Sequence, residues 1–159
     1  MPRGAIRQED GQETLPRSAD LQRLLTYWQE RCGTRDFPCR ADIDALDLRF
    51  MLDRIALTEV HDDPDVPGAH KYRLRLVGSY WHRLTGFELT GKWTHEFARP
   101  NQRKLTEDFY EALIAGRQPR FATRDVIVDD HLLHYEIMLL PLSEDGQHIS
   151  MIMTGIGPD

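Results

Sequence analysis

Tyr72-Arg73-Leu74-Arg75-Leu76-Val77-Gly78-Ser79-Tyr80-Trp81-His82-Arg83-Leu84-Thr85-Gly86-Phe87-Glu88-Leu89-Thr90-Gly91-Lys92 is the stretch whose reading decides the fold. It opens with apolar residues alternating with arginines. That is the period of a strand, with Tyr72, Leu74 and Leu76 on one face. Ser79 to Leu84 then reads as a short helix that Gly86 ends. The loop that follows nearly spells a phosphate-binding motif: Gly86, four residues, then Gly91-Lys92. The motif fails at the next position, where Trp93 replaces the hydroxyl residue that would hold magnesium. Glu88 would place a negative charge inside the phosphate cradle, and the loop follows a helix where the motif needs a strand. The glycines therefore read as a helix stop and a turn support.

Outward from this stretch, Ile55 to Val60 is a first strand and Lys71 to Val77 a second. His61 to His70, with Pro64, Pro67 and Gly68, is the hairpin connection between them. Asn101 to Ala115 is a helix with Leu105, Phe109, Ala112 and Leu113 on its apolar side, ended by Gly116. Three strands follow, Arg120 to Val128, His131 to Leu142 and His148 to Gly155. The short turns between them favour antiparallel hairpins.

Residues 1–17 are polar and carry Pro2, Gly4, Gly11 and Pro16, so a disordered tail is expected there. Ser18 can cap a helix, Asp20 suits its positive end, and Gly33 is a plausible stop. Asp42 to Leu52 reads as one or two helical turns. The division expected is a tail over 1–17, a helical extension over 18–52, and a domain over 53–157. Two strands, a helical middle and three strands make an α+β domain built on a five-stranded antiparallel sheet.

The formal net charge of −6 argues against a general attraction to nucleic acid or to anionic membrane. The longest strongly apolar run, Ile137 to Leu142, is far short of the roughly 20 residues a spanning helix needs. Residues 1–20 lack the apolar centre of a secretory signal. A cytoplasmic protein is expected. Cys32 and Cys39 match neither a redox pair nor a usual zinc spacing. Asp42, Asp44 and Asp47 suggest a calcium loop, but Asp47 stands where that loop needs glycine and Asp53 where it needs glutamate. Helix capping suits them better. His131 and His134 lie three apart on a strand and so point to opposite faces, which does not suit a metal pair. His134 shares a face with Glu136. No Ser-His-Asp or Cys-His constellation is legible, and Gly78-Ser79 lacks the flanks of a nucleophile elbow. Neither a metal nor an enzymatic activity is expected.

The order of elements resembles the PAS family of sensor modules, and the sequence is most similar to a bacterial single-domain subgroup best known from alphaproteobacteria. The residues that carry the likeness are Leu25-Thr26-Tyr27-Trp28, Pro38 to Ile43, Tyr72 to Gly78, Thr85 to Lys92, Gly116 to Pro119 and Leu139 to Gly146. Their joint order covers about residues 20–156. The resemblance implies a sheet cupped by helices around a small cavity, and signalling rather than catalysis. It implies binding of a small molecule or a protein partner, and leaves the cofactor unnamed. Haem on a histidine of the long helix is not matched, because Asn101 to Ala115 has none and His95 lies just before it. The Asn-Cys-Arg motif of the flavin light sensors is missing from the helical middle.

On this fold the residues expected to line a ligand cavity are Tyr72, Leu74, Leu76, Tyr80, Trp81, Phe97, Leu105, Phe109 and Tyr135. Arg75 or His134 would supply polar contacts. A fully packed core is the alternative, and strand faces are ambiguous by one residue. Leu21, Leu24, Leu25 and Trp28 form one stripe of the first helix. That stripe could cover the chain's own sheet or pair with a second copy, and a homodimer is expected. The chain ends just after its last strand, so a signal is expected to leave through a partner such as a histidine kinase.

Overall fold

The first helix starts where the capping logic places it. The Ser18 hydroxyl accepts the Leu21 amide and opens α1 (Ala19–Cys32), and Gly33 ends it at φ +60°. This computed structural model describes residues 6–8 and 13–158. After α1 come three short 3-10 turns, Arg40–Asp42, Ala45–Leu48 and Leu52–Arg54. Asp44 caps the second of them by accepting the Leu46 amide.

The strands and helices that follow are β3 (Ile55–Asp62), β4 (His70–Val77), α2 (Ser79–Thr85), α3 (Pro100–Gly116), β5 (Arg120–Val128), β6 (His131–Leu142) and β7 (Met151–Pro158). They form an antiparallel sheet in the order β5-β6-β7-β3-β4, with the helical middle between its second and third strands in chain order. This is the expected α+β arrangement.

The region read as a disordered tail lies partly outside the described residues. Within them, Ile6–Gln8 (β1) and Glu13–Thr14 (β2) are extended, and β1 runs parallel to β5. A free strand edge offers unpaired amides and carbonyls to any nearby chain, whatever its composition.

The last strand begins three residues later than the sequence suggests. The cause is Asp145, whose Oδ1 accepts the amides of Gln147 and His148 and holds them in a turn. Those bonds, the His148 amide first and then its ring, hold the Asp145 carboxyl well below the usual range. A depressed carboxyl contributes stability above its unfolded pKa and loses it as pH falls through the native value. An Asp145→Asn variant should therefore melt below the parent at pH 7. The gap should close progressively below about pH 4, which melting curves across pH will show. A gap that widens on acidification would contradict the assignment.

The two faces of the sheet are covered differently. On one face α1 lies close against β7 because Gly155 and Gly157 carry no side chain. A Cβ at Gly155 would stand 2.6 Å from Leu24, and one at Gly157 would stand 2.5 Å from Ser18. Leu21, Leu24, Leu25 and Trp28 are all buried here, and the Trp28 ring donates to the Pro141 carbonyl at 2.8 Å. The stripe, expected either to cover the chain's own sheet or to pair with a second copy, packs on the sheet in this fold. Glu136 on β6 completes the contact. Only 3 % exposed, its carboxylate accepts the amides of Arg17 at 2.9 Å and Ser18 at 2.7 Å. On the other face α2, α3 and the loop between them form the second layer.

Candidate functional site

Between the sheet and that second layer lies a cavity of about 320 Å³. Its floor comes from alternate residues of the strands. The register sets Leu139 opposite Thr154 and Thr154 opposite Ala56, all on the inner face. Trp81 and Leu84 of α2 form one wall, and Leu105, Phe109 and Tyr110 of α3 form the other. Tyr110 is fixed there by a hydrogen bond of 3.0 Å with Thr58, between two buried hydroxyls.

Of the expected ligand residues, Leu74, Trp81, Phe97, Leu105, Phe109 and Tyr135 line this cavity. Leu76 does not. Leu57 pairs with Leu76 and Thr58 with Leu74, so Arg75 is an extra residue in β4. Such a bulge moves every later side chain to the opposite face. Leu76 is accordingly 42 % exposed, while Val77 turns inward against the Trp81 cluster. Arg75 points to solvent and pairs with Glu59 at 3.5 Å. His134 also faces away, because it shares the Glu136 face of β6 and is bonded to Asp125. Tyr72 is on the inner face but past the end of the cavity. Its hydroxyl donates to Glu111, and its ring lies 4.9 Å from that of Tyr110. Burial and then Glu111 push the Tyr72 hydroxyl pKa strongly up. Tyr80 packs beside the cavity and lies beneath the Arg83 guanidinium at 5.6 Å.

Several lining residues were missed. Arg124 and Arg99 both reach the cavity, and the Arg124 guanidinium sits 5.2 Å from the centre of the Phe109 ring. Thr154 is 3 % exposed, and among the described residues its hydroxyl has no hydrogen-bond partner. The signal for Thr154 was present as a single hydroxyl in the apolar run Met151 to Ile156. Arg124 could have been found from its place between Ala122 and Val126 on one strand face.

The other sequence signals are used up locally. In the loop that imitates a phosphate cradle, the Gly91 amide donates to Leu74, that of Lys92 to Leu89, and that of Thr90 to the Glu88 carboxylate. Gly86 and Gly91 adopt φ +77° and +81°, as a helix end and a turn require. Asp42 accepts from Cys39 and Arg35, and Asp47 accepts from the Tyr27 hydroxyl. Among the described residues no three acidic, histidine or cysteine side chains converge in a way that could hold a metal ion. Cys32 is a free buried thiol that burial pushes up to about 11.

A sheet of this order with a helical middle and an inner cavity has relatives. The PAS domain family matches residues 16–156, and the chain belongs to it. Among solved structures it is similar to the PAS domain of BvgS from Bordetella pertussis. That match has a TM-score of 0.50 and 18 % identity, and it covers 67 % of this chain and 77 % of the other. No relative was found among curated proteins. Family membership places the chain among sensor and signalling modules. Among the described residues no helix is long and apolar enough to cross a membrane.

Proposed function

We propose that this chain is a non-enzymatic sensor that holds a small organic molecule in the inner cavity and relays its presence to a partner protein. The observation that carries the reading is the cavity itself. Its volume of about 320 Å³ corresponds to roughly ten waters. It is walled by aromatic and aliphatic side chains with a few polar groups among them, which is the make-up of a ligand site. A filled core, the alternative for a purely structural module, would leave no such space.

A relay route follows from the alternation of β7. Thr154 and Ile156 face the cavity, while Gly155 and Gly157, which alternate with them, receive α1. One strand thickness separates a ligand from the helix, so a displacement of β7 on one side is felt on the other. Interiors packed at crystal density transmit such strain.

Thr106 on α3 lines the cavity, and a bulky side chain there would close it. Native mass spectrometry of the purified chain should show a bound small molecule that Thr106→Trp loses. Hydrogen exchange should be slower in α1 when the molecule is bound. Equal masses for parent and variant, or α1 exchange indifferent to occupancy, would defeat the reading.

A further inference from the structure

A hydroxyl stands in the middle of the cavity floor. β7 occupies the centre of the order β5-β6-β7-β3-β4, and Thr154 is on its inner face. Across the sheet it meets Ala56 on one side and Leu139 on the other, and along its own strand Ile152 and Ile156 flank it. None of these four side chains can form a hydrogen bond. The Thr154 hydroxyl is accordingly buried, and among the described residues it has no partner. Valine would fill the same shape without penalty, since a buried polar group left unpaired opposes folding. Of the buried side-chain polar atoms without a partner among the described residues, Thr154 Oγ1 is the one that belongs to a lining residue of the cavity.

The other polar groups of the cavity are engaged already or keep contact with solvent. The Tyr110 hydroxyl is bonded to that of Thr58 at 3.0 Å, and the Thr85 hydroxyl donates to the Trp81 carbonyl at 2.9 Å. Asn101, Gln102 and Thr106, on the first turns of α3, all touch solvent. The charged lining residues sit to one side. Arg124 holds its guanidinium 5.2 Å from the centre of the Phe109 ring, and the exposed Arg99 holds its own 5.6 Å from that of Phe87. The Asp125 carboxylate is bonded to His134. Arg124 pairs with Tyr135, whereas Thr154 pairs with Leu139 four residues further along β6. Strand spacings put the Cα atoms of Arg124 and Thr154 about 17 Å apart. A charge placed beside Thr154 would therefore be buried among apolar walls, away from these guanidiniums, and that penalty far exceeds the gain from one hydrogen bond.

Resting on the reading of the cavity as a ligand site, we infer that its ligand is a small, uncharged, mostly apolar molecule whose one carbonyl or hydroxyl oxygen bonds to Thr154 Oγ1. The threonine hydroxyl can give or take that bond, so either kind of oxygen satisfies it. The body of the ligand lies against Trp81, Phe109 and Tyr135. Such a lining stabilises a hydrocarbon frame by removing it from water and leaves a charge unsolvated.

Three probes of one shape test this by calorimetry: acetophenone, α-methylstyrene, which replaces its oxygen by CH₂, and benzoate, which replaces its methyl by a charged oxygen. Acetophenone should bind, and benzoate should bind at least about tenfold more weakly. Thr154→Val should weaken acetophenone about fivefold, as the loss of one neutral hydrogen bond predicts. Methylstyrene should bind that variant at least as well as the parent. Thr154→Ser, which keeps the hydroxyl, should keep most of the affinity for acetophenone. Without ligand, Thr154→Val should melt no lower than the parent, because it deletes an unpaired hydroxyl. A lower melting temperature would mean that the hydroxyl already has a partner, and would count against the assignment. Benzoate binding as tightly as acetophenone, or Thr154→Val acting alike on acetophenone and methylstyrene, overturns it. If both neutral probes bind, Thr106→Trp abolishes both and Thr154→Val shifts neither, the cavity reading survives while the assignment to Thr154 falls. If no probe binds, the assignment falls too, and the cavity reading then stands or falls with a molecule retained on purification.

Discussion

Gly78→Ala should lower the melting temperature by roughly 6–12 °C, the equivalent of about 3 kcal/mol for a chain of this size. A Cβ at this position would stand 2.1 Å from the Asp53 carbonyl oxygen and 2.4 Å from its carbon. Those are backbone atoms of the turn that leads into β3, and no rotamer change can move them aside. The Gly78 amide also donates to the Ile55 carbonyl at 2.8 Å, so the two segments are held together while the new methyl forces them apart. Gly116→Ala is the control. Its nearest neighbour would be the flexible end of Arg120 at 3.3 Å, and its effect should stay within about 1 kcal/mol. Gly78 precedes α2, whose Trp81 and Leu84 wall the cavity, so retention of a bound molecule should weaken along with stability. A Gly78→Ala protein that melts with the parent would show that the two segments can part freely.

Glu136→Ala should cost about 2–4 kcal/mol in urea unfolding, from two causes acting together. It leaves the Arg17 and Ser18 amides without their acceptor, and it removes a buried negative charge from the positive end of α1. Glu136→Gln keeps an acceptor oxygen and should lose less than the alanine variant. Hydrogen exchange should localise the damage to the first turn of α1. Uniformly faster exchange across the sheet, with α1 unaffected, would instead assign Glu136 a role inside the sheet.

Much of the fold was legible because apolar periodicity and turn residues agree. The alternation in Tyr72 to Leu74, the helical stripe from Leu21 to Trp28, and the glycines after α1 and α2 all act locally. What escaped depends on partners distant in sequence. The extra residue Arg75 has no mark in the string and is defined only by its pairing with β3, yet it decides where Leu76 points. The His134 face is set by which side of β6 receives α1. Whether the α1 stripe met a sheet or a second copy depended on Gly155 and Gly157, more than a hundred residues away. Six aromatic and aliphatic cavity residues were found because bulky apolar side chains signal burial. The polar ones were missed because an arginine on a strand ordinarily reads as solvent-facing.

The bulge has a consequence for the company this protein keeps. β4 is the outermost strand on its side of the sheet, and such a strand is a template for unwanted pairing with other chains. Here the protein occupies part of that template itself. The segment after Gly91 folds back so that the Leu74 amide donates to the Lys92 carbonyl, the Gly91 amide donates to the Leu74 carbonyl, and Arg73 bridges to Trp93. On the far side of Leu74, the bulged Arg75 interrupts the regular ladder and presents a charge. The stretch from Tyr72 to Lys92 thus doubles as a selvedge, guarding the margin of the sheet against fibre-like stacking at the concentrations a crowded cell imposes.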